Sequence, residues 1–302
     1  MAIQERQVAS AARPVEPAAR RDAAQRPRSL VSRGLTILAL VGIAIVLAAP
    51  FIWLVSASLK PRSQVFDNEL IPSTIQLENY ARVWEVSQMA AWVVNSALVA
   101  VLAALAVVVS SALVAFAFAY FRFRARNLLF GLVLATMMLP GAVTMVPQFI
   151  IWDTLGWTDT LVPLWAMNLF GSAFYIFLLR QFFLTIPREM FEAATVDGAN
   201  PLRLWWHLAM PLTKPALIVV AVFELKASWT DLMRPLIYLR DAAGFTLPLG
   251  LKTLLDQFGQ GGEMQWEIIL AASVIATIPM VVIFFLAQRA FVEGISTTGS
   301  KG

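Results

Sequence analysis

Four charged residues lie close together in a stretch that is otherwise apolar. Glu224, Lys226, Asp231 and Arg234 fall within or beside a run of aliphatic and aromatic residues at about 215–239. A charge at membrane depth is costly, so such a residue usually lines a polar pathway or forms an internal ion pair. Asp231 and Arg234 are three residues apart, a spacing that lets them pair on one face of a helix. For Lys226 and Arg234, sealing contacts between helices is the simpler interpretation.

The residues needed for several kinds of catalysis are missing. Cysteine is absent, and His207 is the only histidine. Thiolate chemistry and a multi-histidine metal site are therefore excluded. The sequence also has no G-x-x-x-x-G-K-[ST] segment and no hydrolase or zinc motif. We expect no catalytic residue, no metal and no cofactor in this chain.

The composition indicates a membrane protein with several spans. Of the 302 residues, 59% are hydrophobic and 14% are charged, and the mean hydropathy is +0.72. A soluble chain is about 45–50% apolar and about a quarter charged. The polar side chains are too few to cover a folded surface in water, which excludes an ordinary cytosolic enzyme and a disordered protein.

Six apolar segments are long enough to cross a membrane, which takes about 20 helical residues. They predict an all-α membrane protein, and Pro140 and Pro147 are expected to bend or end the third segment. Residues 1–33 are rich in Arg, Ala and Pro and predict a disordered leader, so that 34–302 form the transmembrane domain. The six segments lie at about 35–57, 89–120, 127–149, 161–184, 215–239 and 267–291.

The basic residues predict the orientation. Sixteen of the 23 Lys and Arg residues fall in the two termini, the second–third connection and the fourth–fifth connection. Because Lys and Arg accumulate in cytoplasmic loops, both termini and the segment at about 187–214 are predicted to be cytoplasmic. The high pI of 9.7 then reflects topology, and we expect no nucleic-acid partner.

The segment at about 187–214 predicts two short amphipathic helices. Asp197-Gly198 ends the first helix, because glycine readily takes the positive φ of a helix C-terminus. Asn200-Pro201 begins the second, with Asn as N-cap and Pro in the first helical position.

The residues alone leave two interpretations of this segment open. Met190, Ala193 and Ala194 fall on one face of the first helix, which suits contact with another protein. Equally, both helices suit the membrane surface, with Trp205 and Trp206 among the lipid headgroups.

The spacing of this segment matches a known signature. It resembles the EAA motif of the permease subunits of ABC importers, which reads E-A-A, three residues, G, nine residues and I-x-L-P. Leu208 and Met210 are conservative departures, and the spacing is fully kept. The matching residues are Glu192, Ala193, Ala194 and Gly198, followed by Leu208-Ala209-Met210-Pro211.

This resemblance implies a type I ABC importer permease fold with a cytoplasmic coupling helix. That helix docks in a groove of a separate ATP-binding subunit, which uses the ATP and Mg²⁺. The residues assigned to coupling are Glu192, Ala193, Ala194, Asp197, Gly198 and Pro211.

Further segments over about 35–302 resemble the carbohydrate branch of this family, the maltose-permease-G-like subunits. This implies import of a sugar or related polyol across the cell membrane. The expected partners are a second permease in a heterodimer, ATP-binding subunits, an extracytoplasmic substrate-binding protein and membrane lipid. Glycerol-3-phosphate importers share the branch, so that solute or another small one is the alternative. The segments are Ser56-Ala57-Ser58-Leu59-Lys60, Ile71-Pro72-Ser73, Asn79-Tyr80, Asn95-Ser96, Leu179-Arg180-Gln181-Phe182-Phe183 and 291–302.

The charged stretch also resembles the family, in Trp229-Thr230-Asp231, where relatives carry Trp-Asn-Asp. This implies that Glu224, Trp229 and Asp231 line the translocation path, because an aromatic face suits a sugar ring and carboxylates accept hydrogen bonds from hydroxyls. The partner permease supplies most substrate contacts in some relatives. The glycine-rich loop 240–266 is either a solvated loop or a surface facing the substrate-binding protein.

Two other classes compete with an importer subunit. The carboxylates Glu224 and Asp231 also fit a secondary transporter driven by an ion gradient. Such a protein would show internal repeats with broken helices at matching positions, and no convincing repeat is found. A membrane-embedded enzyme is disfavoured because the usual catalytic motifs are absent.

Overall fold

The computed structural model describes residues 30–67, 69–259 and 264–299, with side chains over 33–67, 69–259 and 264–288. Within these ranges the chain is helical or irregular and contains no strand. The all-helical fold predicted from the sequence is confirmed. The first helix begins at Leu30, so it takes in the end of the predicted leader. The rest of that leader, with its predicted disorder, lies outside the described residues.

The described helices follow one another through short connections. Three 3₁₀ turns, at Arg62–Gln64, Ala166–Phe170 and Ala242–Gly244, and two π turns, at Trp205–Ala209 and Leu255–Gly259, lie between them. The helices are α1 Leu30–Ser58, α2 Glu78–Val86, α3 Met89–Tyr120, α4 Arg126–Thr136, α5 Gly141–Thr154, α6 Val162–Trp165, α7 Ala173–Phe183, α8 Arg188–Val196, α9 Pro201–Leu204, α10 Met210–Leu212, α11 Lys214–Trp229, α12 Met233–Tyr238, α13 Leu247–Leu254 and α14 Trp266–Gly299.

Among the residues that the structure describes, four helical segments are long and apolar enough to cross a membrane: Arg33–Ser58, Met89–Tyr120, Val162–Phe183 and Trp266–Gln288. They correspond to the first, second, fourth and sixth predicted spans. The two remaining candidates are bent pairs of helices, α4 with α5 and α9–α10 with α11, and the total reaches six if each pair is one span. The six-span topology therefore stays a prediction.

The third predicted span is not one straight helix. Helices α4 and α5 meet at an angle of 96°, and Pro140 is the N-cap of α5. Pro147, in contrast, lies inside α5. Two prolines were expected to bend or end this span. Pro140 lies at the break, where α5 begins, and Pro147 does not interrupt α5.

The fifth predicted span is also interrupted, and its continuation to residue 239 is wrong. Helix α11 ends at Trp229, and α12 begins at Met233. The Asp231 carboxylate accepts hydrogen bonds from the backbone N–H groups of Met233, at 3.1 Å, and Arg234, at 3.3 Å. A side chain that satisfies the free N–H groups of a new helix favours a break at that point.

The chain divides into two compact units, Met1–Pro50 and Phe51–Gly302. In the second unit the long helix α3 packs against α7 and α11, and α11 packs against α14. Small residues on α3, such as Ala103, Ala112 and Ala115, are fully buried and allow close approach of the neighbouring helices. This packing positions the end of α7 and the start of α11, and therefore the loop between them.

Candidate functional site

Helix α8, which carries Glu192, Ala193 and Ala194, is anchored to the helix bundle by one aromatic side chain. Phe191 is buried, and its ring centroid lies 5.2 Å from that of Tyr120 and 5.9 Å from that of Phe116. Both partners are in the last turns of α3, and Phe183 of α7 packs against Phe116 at 5.9 Å. The loop helix is therefore docked on the ends of α3 and α7.

The side of α8 away from this anchor is exposed. Glu192 and Ala193 face solvent, while Ala194 is half-buried beside Phe191. Met190 is also exposed, so two of the three residues predicted to share a face, Met190 and Ala193, are open to a partner. Phe191 and Ala194, three residues apart, form the packed face of α8.

Gly198 ends α8 in a Schellman motif. The N–H of Gly198 donates to Thr195 O, and the N–H of Ala199 donates to Ala194 O, each at 3.0 Å. Gly198 has φ +86°, and a Cβ there would meet no atom within 4 Å. The requirement for glycine is therefore conformational and not steric, because only the left-handed backbone opposes a side chain. The predicted break at Asp197-Gly198 is confirmed.

The second half of the loop begins as predicted. The Asn200 side chain accepts a hydrogen bond from the N–H of Arg203 at 2.9 Å, and Pro201 is the first helical residue. Trp205 is buried in the same core as Phe191, while Trp206 is exposed. The interpretation that places both tryptophans among lipid headgroups thus fails for Trp205.

The two remaining residues assigned to coupling lie on either side of this core. Asp197 is exposed at the C-terminus of α8, and Pro211 is exposed in α10. Immediately after α10, the loop passes through Thr213 into α11. The exposed part of the loop is therefore continuous with a helix of the bundle.

Glu224 of α11 is the centre of a buried polar cluster. Its Oε1 atom accepts hydrogen bonds from Asn168 Nδ2 at 2.6 Å and Ser228 Oγ at 3.1 Å, and the Tyr175 hydroxyl of α7 lies near the carboxylate. In the described part of the chain, no Lys or Arg forms an ion pair with Glu224. Several donors compensate the buried carboxylate in place of a cation.

The cluster lies where the fourth span is broken. Between the 3₁₀ turn and α7, Gly171 has φ +78°, and a Cβ there would lie 3.3 Å from Ile176 Cδ1. Ser110 Oγ donates to Asn168 O at 2.8 Å, and Ser111 Oγ accepts from the Ser172 N–H at 3.0 Å. Two adjacent serines of α3 thus satisfy backbone groups that the break leaves free, as helix interruptions at membrane depth require.

Trp229 faces a different neighbour. Its Nε1 donates to Ala276 O of α14 at 3.1 Å, and its buried ring borders an open cleft of about 430 Å³ lined mainly by α13 and α14. Asp231 forms an ion pair with Arg234, which also donates to Leu164 O at 3.1 Å. The local Asp231–Arg234 pair expected from the spacing is confirmed.

The three residues assigned to the translocation path are therefore not brought into one site. Glu224 contacts the 3₁₀ turn and α7, Trp229 contacts α14, and Asp231 contacts the start of α12. Lys226 is exposed. Sequence reasoning missed Phe191 and Asn168, although an aromatic residue beside E-A-A and a lone Asn within an apolar span were signals for both.

Comparison with known proteins identifies the family of this chain. An all-helical chain with several membrane-length helices and an exposed loop held on the bundle is typical of a multi-pass membrane protein. Residues 108–297 match the model of the family of binding-protein-dependent transport system inner membrane components, and the chain belongs to that family. It is a permease subunit of the ABC importers, of the carbohydrate branch, and not an enzyme. The resemblance inferred from the EAA spacing is confirmed.

The relatives align with nearly the whole chain. The arabinooligosaccharides transport system permease protein AraQ of Halalkalibacterium halodurans is 31% identical, with 86% of this chain and 93% of that protein covered. The sn-glycerol-3-phosphate transport system permease protein UgpE is 33% identical in Yersinia pestis, covering 86% and 94%. Its Salmonella typhimurium counterpart is 35% identical, covering 87% and 96%.

Two solved structures have the same fold. A chain of a bacterial ABC transporter involved in the import of the acidic polysaccharide alginate aligns with a TM-score of 0.77 at 24% identity, over 87% of this chain and 97% of that one. A chain of an alginate transporter in complex with its alginate pentasaccharide-bound periplasmic protein gives 0.63 at 14% identity, over 86% and 93%. The ABC permease fold expected from the resemblance is thus supported.

Proposed function

We propose that this chain is one membrane half of an ATP-driven importer for a sugar or related polyol, which an extracytoplasmic binding protein delivers. A second permease completes the pathway as a heterodimer. Separate ATP-binding subunits hold the ATP and Mg²⁺, so that this chain needs no cofactor. The observation that carries the proposal is helix α8, whose Glu192 and Ala193 are exposed while Phe191 fixes it to the bundle.

The position of α8 suits transmission of a movement into the membrane. A displacement of α8 by a partner acts on the ends of α3 and α7 through Phe191, and on α11 through the continuous chain at Thr213. Helix α11 carries Glu224, which is hydrogen-bonded to the broken fourth span. Packed interfaces switch between discrete arrangements, so a local shift is converted into alternation between inward- and outward-facing states.

The Glu224 cluster favours an uncharged, hydroxyl-rich solute. Its carboxylate has no ion-pair partner among the described residues, so a phosphate passing nearby would be repelled. Glycerol-3-phosphate remains the alternative because of the names of the UgpE relatives. Uptake of labelled sugars, polyols and glycerol-3-phosphate by cells with the whole importer distinguishes the two classes of solute.

Reversing the charge of Glu192 tests the coupling assignment. In the assembled importer, Glu192→Lys is expected to abolish uptake and weaken co-purification of the ATP-binding subunit, while membrane insertion is retained. Glu85→Lys, an equal reversal on exposed α2, is the matched control and should leave uptake unchanged. Normal uptake and normal subunit association in Glu192→Lys would refute the role of α8 in coupling.

The proposed topology has both termini in the cytoplasm of a cell-membrane protein. Because native cysteine is absent, a single Cys reports the side of the membrane. Ser63→Cys, in the exposed turn after α1, should react in whole cells with an impermeant thiol reagent. Thr195→Cys, on α8, should react only after the membrane is permeabilised. The opposite labelling pattern would show that the topology is the reverse of the one proposed.

A further inference from the structure

Four arginines gather where α3 ends and α4 begins. Arg122, Arg124 and Arg126 line one open cavity of about 750 Å³ on this connection. Arg180, near the end of α7, lies close enough to Arg126 for the two positive charges to repel each other. The region therefore concentrates charge of one sign from two separate parts of the chain.

Within the described part of the chain, this positive charge is not neutralised by an ion pair. None of the four arginines forms an ion pair with a described acidic residue, and the sequence contains no Asp or Glu from 86 to 152. Clustered cations without acidic neighbours attract an anion from outside the chain.

Arg126, which lines the cavity, and Arg180, near it, form hydrogen bonds to backbone oxygens and not to an acid. Arg126 Nη1 donates to Phe121 O at 3.3 Å, and Arg180 Nε donates to Phe118 O at 3.4 Å. The Arg180 guanidinium also lies over the Phe130 ring, 4.3 Å from its centroid. Both side chains are thus positioned while donor groups remain for a ligand, since a guanidinium has five N–H donors.

The apolar residues around the four arginines indicate that the anion is part of the membrane. Phe121, Phe123 and Leu128 are exposed beside the arginines, and the connection joins the membrane-length α3 to α4. Exposed apolar side chains next to basic ones are typical of the boundary between acyl chains and headgroups.

We propose that Arg122, Arg124 and Arg126, supported by Arg180, bind the phosphate of an anionic phospholipid headgroup. The guanidinium groups suit a phosphate because their paired N–H donors match its oxygens. The lipid would hold the α3–α4 connection at the membrane surface, next to the helix ends on which α8 is docked.

Lipid retention by the assembled importer tests this proposal. The importer is placed in nanodiscs of phosphatidylcholine with a minority of phosphatidylglycerol, and retained phosphatidylglycerol is counted by native mass spectrometry. A basic residue near an anionic surface contributes roughly a fivefold preference, so Arg124→Gln should lower the preference for phosphatidylglycerol by about that factor. The triple Gln variant should abolish the preference, and the triple Lys variant should keep part of it.

Arg62→Gln is the matched control, because Arg62 is exposed on the connection after α1 and also forms no ion pair within the described ranges. It should retain the wild-type preference. Equal losses in Arg62→Gln and Arg124→Gln would overturn the proposal, as would an unchanged preference in the triple Gln variant. Tight binding of inorganic phosphate in pure phosphatidylcholine nanodiscs, together with no preference for phosphatidylglycerol in mixed nanodiscs, would assign the site to a free anion. Unchanged lipid retention with loss of the ATP-binding subunit would assign it to a protein contact. Both results refute lipid binding.

Discussion

Helix α8 and the cluster around Glu224 are both polar regions of a mostly apolar chain. The acidic side chain of α8 faces solvent, whereas that of the cluster faces the protein interior. On α8 the carboxylate of Glu192 is exposed, and a single buried ring, Phe191, holds the helix in place. In the cluster, Glu224 is buried and takes its hydrogen bonds from Asn168 and Ser228 within the chain.

The contrast between α8 and the Glu224 cluster indicates which polar residues form a contact surface. A polar residue that is already hydrogen-bonded inside the protein contributes to stability, whereas an exposed one on a rigidly held element is available to a partner. We therefore expect changes at α8 to affect coupling more than stability, and changes in the cluster to affect stability of the bundle first. Four predictions test that contrast.

The largest effect is expected for Phe191→Ala. Removal of a buried aromatic ring costs about 3–5 kcal/mol, and here the loss falls on the docking of α8. Uptake should be lost while the ATPase activity of the assembled importer persists without coupling. Leu202→Ala, in the same loop but exposed, is the control and should behave as wild type. Coupled transport in Phe191→Ala would show that this ring does not anchor the helix.

Glu224→Ala should lower the stability of the bundle. It leaves the donors of Asn168 and Ser228 without their acceptor, at a cost of about 1–3 kcal/mol for each one that stays buried. Glu224→Gln keeps an acceptor oxygen and should retain most of the stability. The midpoint of thermal unfolding in nanodiscs measures both. Equal midpoints for the Ala variant and wild type would mean that the cluster does not hold the fourth span to α11.

Gly198→Ala should weaken the end of α8 by a smaller amount. The left-handed conformation costs a residue with a Cβ about 1–2 kcal/mol, and the open space around Gly198 removes any steric contribution. Gly198→Asn should be milder because Asn enters this region more easily. Uptake should follow the order Gly, Asn, Ala. A reversed order would show that space, and not backbone conformation, requires glycine here.

The smallest effect is expected at Asp159, an exposed acid whose hydrogen bonds are internal. Backbone N–H groups of Arg240 and Asp241 donate to its carboxylate at 2.9 and 3.1 Å and hold the pKa of Asp159 below its usual range. Because the pKa of Asp159 is lowered in the folded protein, its ionised carboxylate stabilises the fold fully above the ordinary pKa of Asp. That stabilisation is lost as the pH falls through the lowered pKa.

Asp159→Asn, which keeps an acceptor and also suits the φ of +60° at this position, should remove that part of the acid sensitivity. Thermal unfolding midpoints measured from neutral to acidic pH test this. An identical acid dependence in wild type and Asp159→Asn would show that other groups account for it.

Much of the fold could be predicted from apolar length alone. The second span was predicted at 89–120, and α3 runs from Met89 to Tyr120. The loop helices were also predictable, because Gly198, Asn200 and Pro201 act on the backbone of their own turns. The break at Asp231 was not predicted, because it depends on hydrogen bonds that compete with a helical pattern of apolar residues.

The candidate site was predicted less completely. The EAA spacing located the exposed residues, since their order along one short loop is itself the signal. Phe191 was missed because its importance comes from Phe116, Tyr120 and Phe183, which lie far away in sequence. The assignment of Glu224, Trp229 and Asp231 to the translocation path stays a prediction. Their side chains have different neighbours, because residues five to seven apart on and after a helix point in different directions.

The sequence by itself determined the class of this protein. Its apolar content requires a membrane, and its missing cysteine and histidine chemistry excludes common catalytic sites. The local order of loop residues identifies a permease subunit. The tertiary structure was needed to show which polar side chains are exposed to partners and which form hydrogen bonds within the chain. Glu192 is exposed and Glu224 buried because of where α3, α7 and α11 pack, and packing depends on contacts between residues distant in the chain.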